Sequence, residues 1–121
     1  MDHINLLKYK AKELMTTEHE FIDSITVELS NDPIYGWGPD QRLGKYDPLR
    51  KKITLYNEFS KFPSSPEIAV KNILPTYIHE LLHAIQHREC GLILYLLALF
   101  FMRPKLEKDV QETEDALYEV K

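Results

Sequence analysis

Cysteine, glycine and net positive charge are all scarce in this 121-residue sequence. The single cysteine, Cys90, excludes an internal disulfide and favours a reducing compartment. The formal net charge of −4 excludes the broadly basic surface of a general nucleic-acid binder, so we predict no nucleic-acid partner. One local basic cluster is interpreted as a solvated loop and strand edge. It comprises Arg42, Lys45, Arg50, Lys51 and Lys52.

Long hydrophobic runs are also missing. The longest begins at Leu92 and ends at Met102, and its eleven residues fall short of the roughly 20 that a membrane-spanning helix needs. This run predicts either a buried core helix or an exposed apolar surface for self-association, a partner or a membrane interface. Because the first residues are polar and charged, we expect no signal peptide and a cytoplasmic location.

The remaining composition, 44% hydrophobic and 28% charged, is typical of one globular domain over residues 1–121. Apolar spacing predicts a surface helix over residues 4–18, and alternation predicts strands over 21–29 and 52–56. Residues 34–50, with three glycines around Trp37, indicate a loop or hairpin. A helix capped near Ser64 and Ser65 meets Pro75, where it must kink or restart. The predicted class is α+β with a small antiparallel or mixed sheet.

The sequence His79-Glu80-Leu81-Leu82-His83 lies in an apolar, helix-compatible run that ends near Gly91. Residues four apart lie on one helix face, so His79 and His83 can direct two imidazoles at one metal ion. Catalytic zinc typically has three protein ligands and a water. Glu80 is suited to act as general base, since the ion lowers the pKa of its water to roughly 7. We expect one zinc ion per chain.

The third ligand must come from elsewhere. On a straight helix His79 and His87 stand about 12 Å apart, which disfavours His87 as a ligand and leaves it either supporting the site or exposed. An acidic helix predicted from residue 105 to about 120 offers carboxylates instead. Glu112 is the first choice, Glu114 the second and Asp109 the third. Asp115 would hold a ligand histidine by its other ring nitrogen.

These residues resemble the gluzincin zinc metallopeptidases, in particular the small single-domain minigluzincins. The minigluzincins are similar in their core to the membrane-embedded peptidases that process prenylated proteins and to a related heat-shock protease. The resemblance covers about residues 50–120 and rests on His79, Glu80, His83 and a helix carrying Glu112. It implies a zincin-like domain with an active-site helix, a backing helix and a C-terminal glutamate helix. By the same resemblance, residues 53–57 would be the edge strand that pairs with an extended substrate.

One departure concerns the glutamate helix, because the family usually has Ala-Asp or Ser-Asp directly after its glutamate, whereas Thr113-Glu114 follows Glu112 here. The choice between Glu112 and Glu114 therefore stays open. The group that stabilises the transition state is also open. Its candidates are Tyr77, Tyr95 and Tyr118.

The leading hypothesis is a zinc endopeptidase, in which a zinc-bound water hydrolyses peptide bonds with Glu80 as base. Such a short chain has little material for a deep specificity pocket, so latency is compatible with the sequence. Two alternatives stay open. One is a non-catalytic metal-binding or interaction module that uses the apolar run. The other is a regulatory peptidase, of the type that cleaves repressors of mobile elements, with one cognate protein substrate.

Overall fold

A computed structural model describes residues 3–15, 17–30, 44–56 and 66–119. In chain order the elements are α1 (His3–Leu14), α2 (His19–Ser24), β1 (Thr26–Ser30), β2 (Gly44–Asp47), β3 (Lys52–Tyr56), α3 (Pro66–Cys90), α4 (Leu92–Phe101) and α5 (Arg103–Glu119). The α+β class is therefore confirmed. Trp37 and the predicted cap at Ser64 and Ser65 lie outside the described residues.

The sheet is mixed and has the order β1-β3-β2. β1 pairs in parallel with β3, with Val27 opposite Ile53, and β2 pairs with β3 in the antiparallel direction, with Tyr46 opposite Ile53. The prediction that residues 53–57 form an edge strand is wrong, because β3 uses both of its edges within the sheet. Among the described strands, β2 is the end strand next to α3.

The first predicted strand is too long. Residues 19–24 form α2, and extended backbone starts at Ile25. The reason is local, since the Ile22 amide donates to the Glu18 carbonyl at 2.9 Å and the Ser24 hydroxyl donates to the Phe21 carbonyl at 2.7 Å. The predicted alternation holds from there, with Ile25 and Val27 buried.

One apolar core cluster joins α1, α2, β1, β3, α3 and α5. α1 contributes Leu7 and Ala11, which are four residues apart and therefore lie on one helix face. Ile53 and Leu55 of β3 are fully or almost fully buried. The long helix α3 supplies the largest share of the cluster, so it is the element on which the others pack.

α3 is one continuous helix through Pro75, so of the predicted kink or restart, the restart does not occur. Proline removes one intrahelical donor, which leaves the carbonyl of Lys71 without its usual partner. Both residues are exposed, so this carbonyl lies on the solvent side of the helix, where its loss of a partner costs less than in the core. The motif residues consequently lie in the second half of one helix.

Gly91 ends α3 with a φ of 80°, a conformation that glycine adopts without strain. α4 follows at once and leaves most of its apolar side chains in solvent, so of the two alternatives for this run the structure shows the exposed apolar surface. We call these side chains the apolar face of α4. They are Leu92, Ile93, Leu94, Leu97, Phe100 and Phe101. Within the described residues, no helix combines the length and the apolar character needed to cross a membrane.

Gly44 lets β2 approach α3 closely. A Cβ atom at this position would lie 2.9 Å from Cγ2 of Thr76 and 3.1 Å from Cδ2 of Leu55. Only glycine fits this contact without displacement of a neighbour. The close approach fixes β2 beside the motif helix.

Gly44→Ala should therefore lower the free energy of unfolding by about 1–3 kcal/mol, as expected for an overpacked contact. Urea denaturation of Gly44→Ala, Thr76→Ser and the double variant measures the coupling between the two positions. Because serine lacks Cγ2, part of the loss should disappear in the Thr76→Ser background. Wild-type stability of Gly44→Ala would contradict the close contact.

Candidate metal centre

The two motif histidines lie side by side on α3. Their ring centroids are 5.0 Å apart, as the four-residue spacing requires. His83 is buried and His79 is partly exposed. The Nε2 atoms of both rings point toward α5.

Glu107 of α5 meets both rings. Its Oε2 lies 3.0 Å from Nε2 of His79, and its Oε1 lies 3.2 Å from Nε2 of His83. Donor atoms of these three residues all fall within 4.8 Å of one another. Two imidazole nitrogens and one carboxylate form a donor set that suits zinc.

The second ring nitrogens are also held. Nδ1 of His79 lies 3.0 Å from Oε2 of Glu114, and Nδ1 of His83 lies 2.9 Å from Oε1 of Gln86. Both oxygens accept hydrogen bonds, so a proton on each Nδ1 satisfies them and leaves each Nε2 able to bind a metal ion. The Nε2 atoms are thereby directed to Glu107, which is the arrangement that orients histidine ligands around a metal.

Gln86 adds a link between the two helices. Its side-chain nitrogen donates to the backbone carbonyl of Leu106 at 2.9 Å, one residue before Glu107. Its side-chain oxygen meanwhile accepts from His83. The side-chain amide of Gln86 therefore positions two groups. It holds the ring of His83 on α3, and it holds the backbone of α5 next to Glu107.

Without a metal ion, the charges in this group favour a proton on His79. The hydrogen bond to Glu107, followed by that to Glu114, raises the pKa of His79 to about 9, although burial opposes the shift. Hydrogen bonds from His79 and His83 hold the pKa of Glu107 well below its usual range. A bound cation would displace the His79 proton and take over its role.

The helical period of α5 explains which carboxylates reach the histidines. Leu106 and Val110 are buried against the core side of α5. At about 100° per residue, Glu107 and Glu114 fall next to that apolar stripe, seven residues apart. Glu112 falls on the opposite side.

This geometry places Glu112, the predicted third ligand, away from the two histidines. Glu112 is exposed and does not belong to the cluster, whereas Glu107 does. Asp109 and Asp115 are exposed as well. Glu114, the second choice, contacts His79 in the role that was predicted for Asp115. Glu107 and Gln86 were not predicted from the sequence. The helical period could have indicated Glu107, because this residue lies next to the apolar stripe of Leu106 and Val110.

Two cavities flank the group, and Glu80, Arg103 and Glu107 line both of them. The larger measures about 660 Å³ and extends past Gly44, Pro75 and other residues of α3 and α5. The smaller, about 330 Å³, lies between β2 and α4. Glu80 is nearly buried and sits where the cavities meet.

His87 lies outside the group of His79, His83 and Glu107, and it is buried. Its ring is buried, and Nδ1 lies 2.7 Å from the hydroxyl of Tyr46 on β2. Tyr95 of α4 packs against the same ring at a centroid distance of 5.3 Å. Burial raises the pKa of Tyr46 to about 12, so its hydroxyl keeps its proton at neutral pH. This cluster ties β2, α3 and α4 together beside the smaller cavity.

Three tyrosines were candidates for stabilising a transition state. Tyr95 lines the smaller cavity, although its side chain is almost completely buried. Tyr77 is fully buried, with no hydrogen-bond partner for its hydroxyl among the described residues. Tyr118 is exposed and lines neither cavity. Of the three, only Tyr95 lines one of these two cavities.

Comparison of the chain with protein-family models, with curated proteins and with solved structures finds no match. The function is therefore inferred from the site itself.

Substitution of Glu107 and of Glu112 by glutamine tests which of the two glutamates binds the metal ion. Glu107→Gln should weaken zinc binding by more than about 100-fold, beyond the roughly 10- to 100-fold cost of losing an outer-shell partner. Glu112→Gln serves as the matched control and should bind zinc like the wild type, because this side chain is exposed and remote. Competition with a chromophoric chelator measures both dissociation constants. The reverse order of effects would restore Glu112 as the ligand.

The pKa of His79 predicts how the metal-free protein responds to alkali. Since the folded-state pKa of about 9 exceeds the ordinary 6.5, protonation of His79 stabilises the fold fully below pH 6.5. That contribution is lost as the pH rises through 9 and should be on the order of 2 kcal/mol. Urea denaturation between pH 6.5 and pH 9 should show a steeper loss for the chelator-treated wild type than for His79→Gln. Parallel curves would refute the His79–Glu107 ion pair.

Proposed function

We propose that this protein is a zinc-dependent metallopeptidase that hydrolyses peptide bonds. The observation that carries the proposal is the cluster of His79, His83 and Glu107, with Nε2 of both rings turned to one carboxylate. The donor chemistry fits zinc, and the second nitrogens are already held as zinc-binding histidines require. The order of a motif helix followed by a glutamate helix also fits the zincin-like fold that the gluzincin resemblance implies.

His79, His83 and Glu107 would hold the ion. When bound, zinc supplies a Lewis acid that polarises a carbonyl group and makes water acidic enough to react near neutral pH. Glu114 and Gln86 keep the two imidazoles in the required tautomer. This chain thus provides both the ligands and their orientation.

Glu80 is the proposed general base. It follows the first ligand directly, lies at the junction of the two cavities and is largely shielded from solvent. A carboxylate in this place can take a proton from water and pass it to the leaving amine. The two cavities leave room for polypeptide on both sides of the scissile bond.

β2 replaces β3 as the strand proposed to guide the substrate. Gly44, Lys45 and Tyr46 line the cavities, so this strand borders the site. An extended peptide could pair with its main chain. Latency, and a single cognate protein substrate in place of generic ones, are both compatible with so small a cleft.

We further propose a cytoplasmic location and no nucleic-acid partner. Cys90 is exposed and free, which suits a reducing environment. Two cations of the basic cluster are paired with carboxylates, Lys52 with Glu28 at 2.7 Å and Arg50 with Asp47 at 3.8 Å.

A non-catalytic interaction module is the second candidate function, and one observation favours it. The apolar face of α4 exposes six large hydrophobic side chains along ten residues. Surfaces of this kind mark contacts with a protein or a membrane interface. Sedimentation of the wild type and its flotation with lipid vesicles would reveal such an association, and absence of proteolysis would then favour this candidate.

Glu80→Gln tests the peptidase mechanism. The variant should bind one zinc ion per chain with unchanged affinity, because Glu80 is not among the three donors. Its kcat on denatured proteins should fall by about 100- to 10,000-fold, the usual contribution of a general base. Zinc content is measured by atomic absorption and cleavage by mass spectrometry of the products.

Glu89→Gln is a suitable control, since Glu89 is exposed at the far end of α3 and pairs only with Arg88 among the described contacts. It should cleave like the wild type. Undiminished cleavage by Glu80→Gln would refute the proposed base.

A further inference from the structure

A third cavity of about 600 Å³ lies apart from the candidate metal centre. Side chains of α2, β2, the end of α3 and the start of α4 line it. None of the described residues that line it belongs to the group of His79, His83 and Glu107, and it shares only Tyr46 with the smaller cavity. Its volume falls within the range of small-molecule sites, so its lining determines which kind of molecule fits.

The floor of this third cavity is apolar. Ile25 and Ala84 line it and are 2% and 1% exposed, and the partly buried Phe21 lines it as well. Leu49 and Leu92 also line it, but they are exposed, so they belong to its rim. An apolar group that enters the cavity removes its own surface and that of these side chains from water. The lining therefore favours a molecule with a hydrophobic body.

The charged side chains around the third cavity are cationic. No aspartate or glutamate occurs among the described residues that line it, whereas Lys51 and Arg88 do. Arg88 is already paired with Glu18 and with Glu89. Lys51 forms no ion pair within the part of the chain that the structure describes. Lys51 is therefore the cation that a bound anion would meet.

The position of Lys51 suits one carboxylate at the mouth of the cavity. Lys51 belongs to the turn between β2 and β3 and is exposed, so its charge lies at the rim. His87, which also lines the cavity, adds no charge at neutral pH, because burial and the nearby Lys51 lower the pKa of its ring. An anion paired with Lys51 would keep part of its hydration, which avoids the cost of burying a charge.

We propose that the third cavity binds a small amphipathic monocarboxylate, with its apolar body against Ile25 and Ala84 and its carboxylate beside Lys51. Medium-chain aliphatic acids and arylalkanoic acids share this chemistry. The single available cation matches one negative charge, and the apolar floor matches the hydrophobic body. This site goes beyond the proposed peptidase function and does not rest on it, because the residues proposed to hold zinc do not line the cavity.

Isothermal titration calorimetry of the intact chain with octanoate and with 3-phenylpropanoate tests the site and distinguishes the two kinds of acid. At least one should bind with a Kd on the order of 0.1–1 mM, as expected for ligands of about ten non-hydrogen atoms. Acetate should show no saturable binding, because it lacks the hydrophobic body. The Kd should be the same with and without zinc. Absence of binding by both acids, or binding only in the presence of zinc, would overturn the proposal.

Lys51→Gln removes the proposed charge and keeps a polar side chain. The variant should bind octanoate about 3- to 5-fold more weakly, the effect of one partly exposed ion pair, and should bind the neutral octanamide like the wild type. Lys51→Glu should weaken octanoate binding by more than about 10-fold, because like charges repel.

Lys71→Gln and Lys71→Glu are the matched controls. Lys71 is exposed in the first half of α3 and does not line the cavity, and salt screens its charge at a distance. Both variants should bind octanoate like the wild type. An equal loss at the two lysines, or no loss at Lys51, would overturn the assignment of the carboxylate.

Leu92→Ser and Ile93→Ser separate the cavity from the apolar face of α4. Both side chains are exposed, so neither exchange should disturb folding, which circular dichroism verifies. Only Leu92 lines the cavity, so Leu92→Ser should weaken octanoate binding about 3- to 10-fold, whereas Ile93→Ser should match the wild type. An equal loss in both variants would place the ligand on the apolar face of α4 and overturn the site.

Nuclear magnetic resonance of the backbone amides locates the ligand independently of these variants. Octanoate should shift the signals of Ile25, Ala84 and Gly91, which line the cavity. Lys51→Gln should require more octanoate for the same shifts. Shifts confined to His79 and His83 would place the carboxylate at the metal centre and overturn the proposal.

Discussion

The contact of Glu107 with His79 and His83 is the interaction on which the candidate site depends. It joins α3 to α5 across the cleft, and both rings offer it their Nε2 atoms. Three carboxylates, Glu80, Glu107 and Glu114, surround these two imidazoles, so the group requires positive charge. A proton on His79 meets that need when no metal is present, and a divalent cation would meet it more completely.

The break at Gly91 makes this contact possible. Its positive φ ends α3 and starts α4 without an intervening loop, and α5 then returns along α3. α4 is a connection between the two halves of the site, and only Tyr95 of this helix is buried. The same geometry leaves its apolar face in solvent and forms the wall of the smaller cavity. The end of α3 at Gly91 thus accounts both for the exposure of α4 and for the open cavity beside the site.

Local patterns predicted most of the elements. The spacing of Leu7 and Ala11, the alternation of Ile25 and Val27, and the arrest at Gly91 all depend on neighbours a few residues away. A local pattern was misleading or ambiguous in two places. Residues 21–24 have the composition of a strand but form the end of a short helix, and the apolar run at α4 fitted either a core helix or an exposed surface.

By itself, the sequence determined the pair His79 and His83 and the adjacent Glu80, because spacing along one helix fixes which side chains share a face. It also pointed to the acidic helix as a source of a third ligand. Only the tertiary structure placed Glu107, and not Glu112, beside the two histidines, since this depends on the rotation of α5 about its axis, which the packing of Leu106 and Val110 sets. The placement of β2 at the cleft likewise required the sheet order, because strand pairing joins residues distant in the chain.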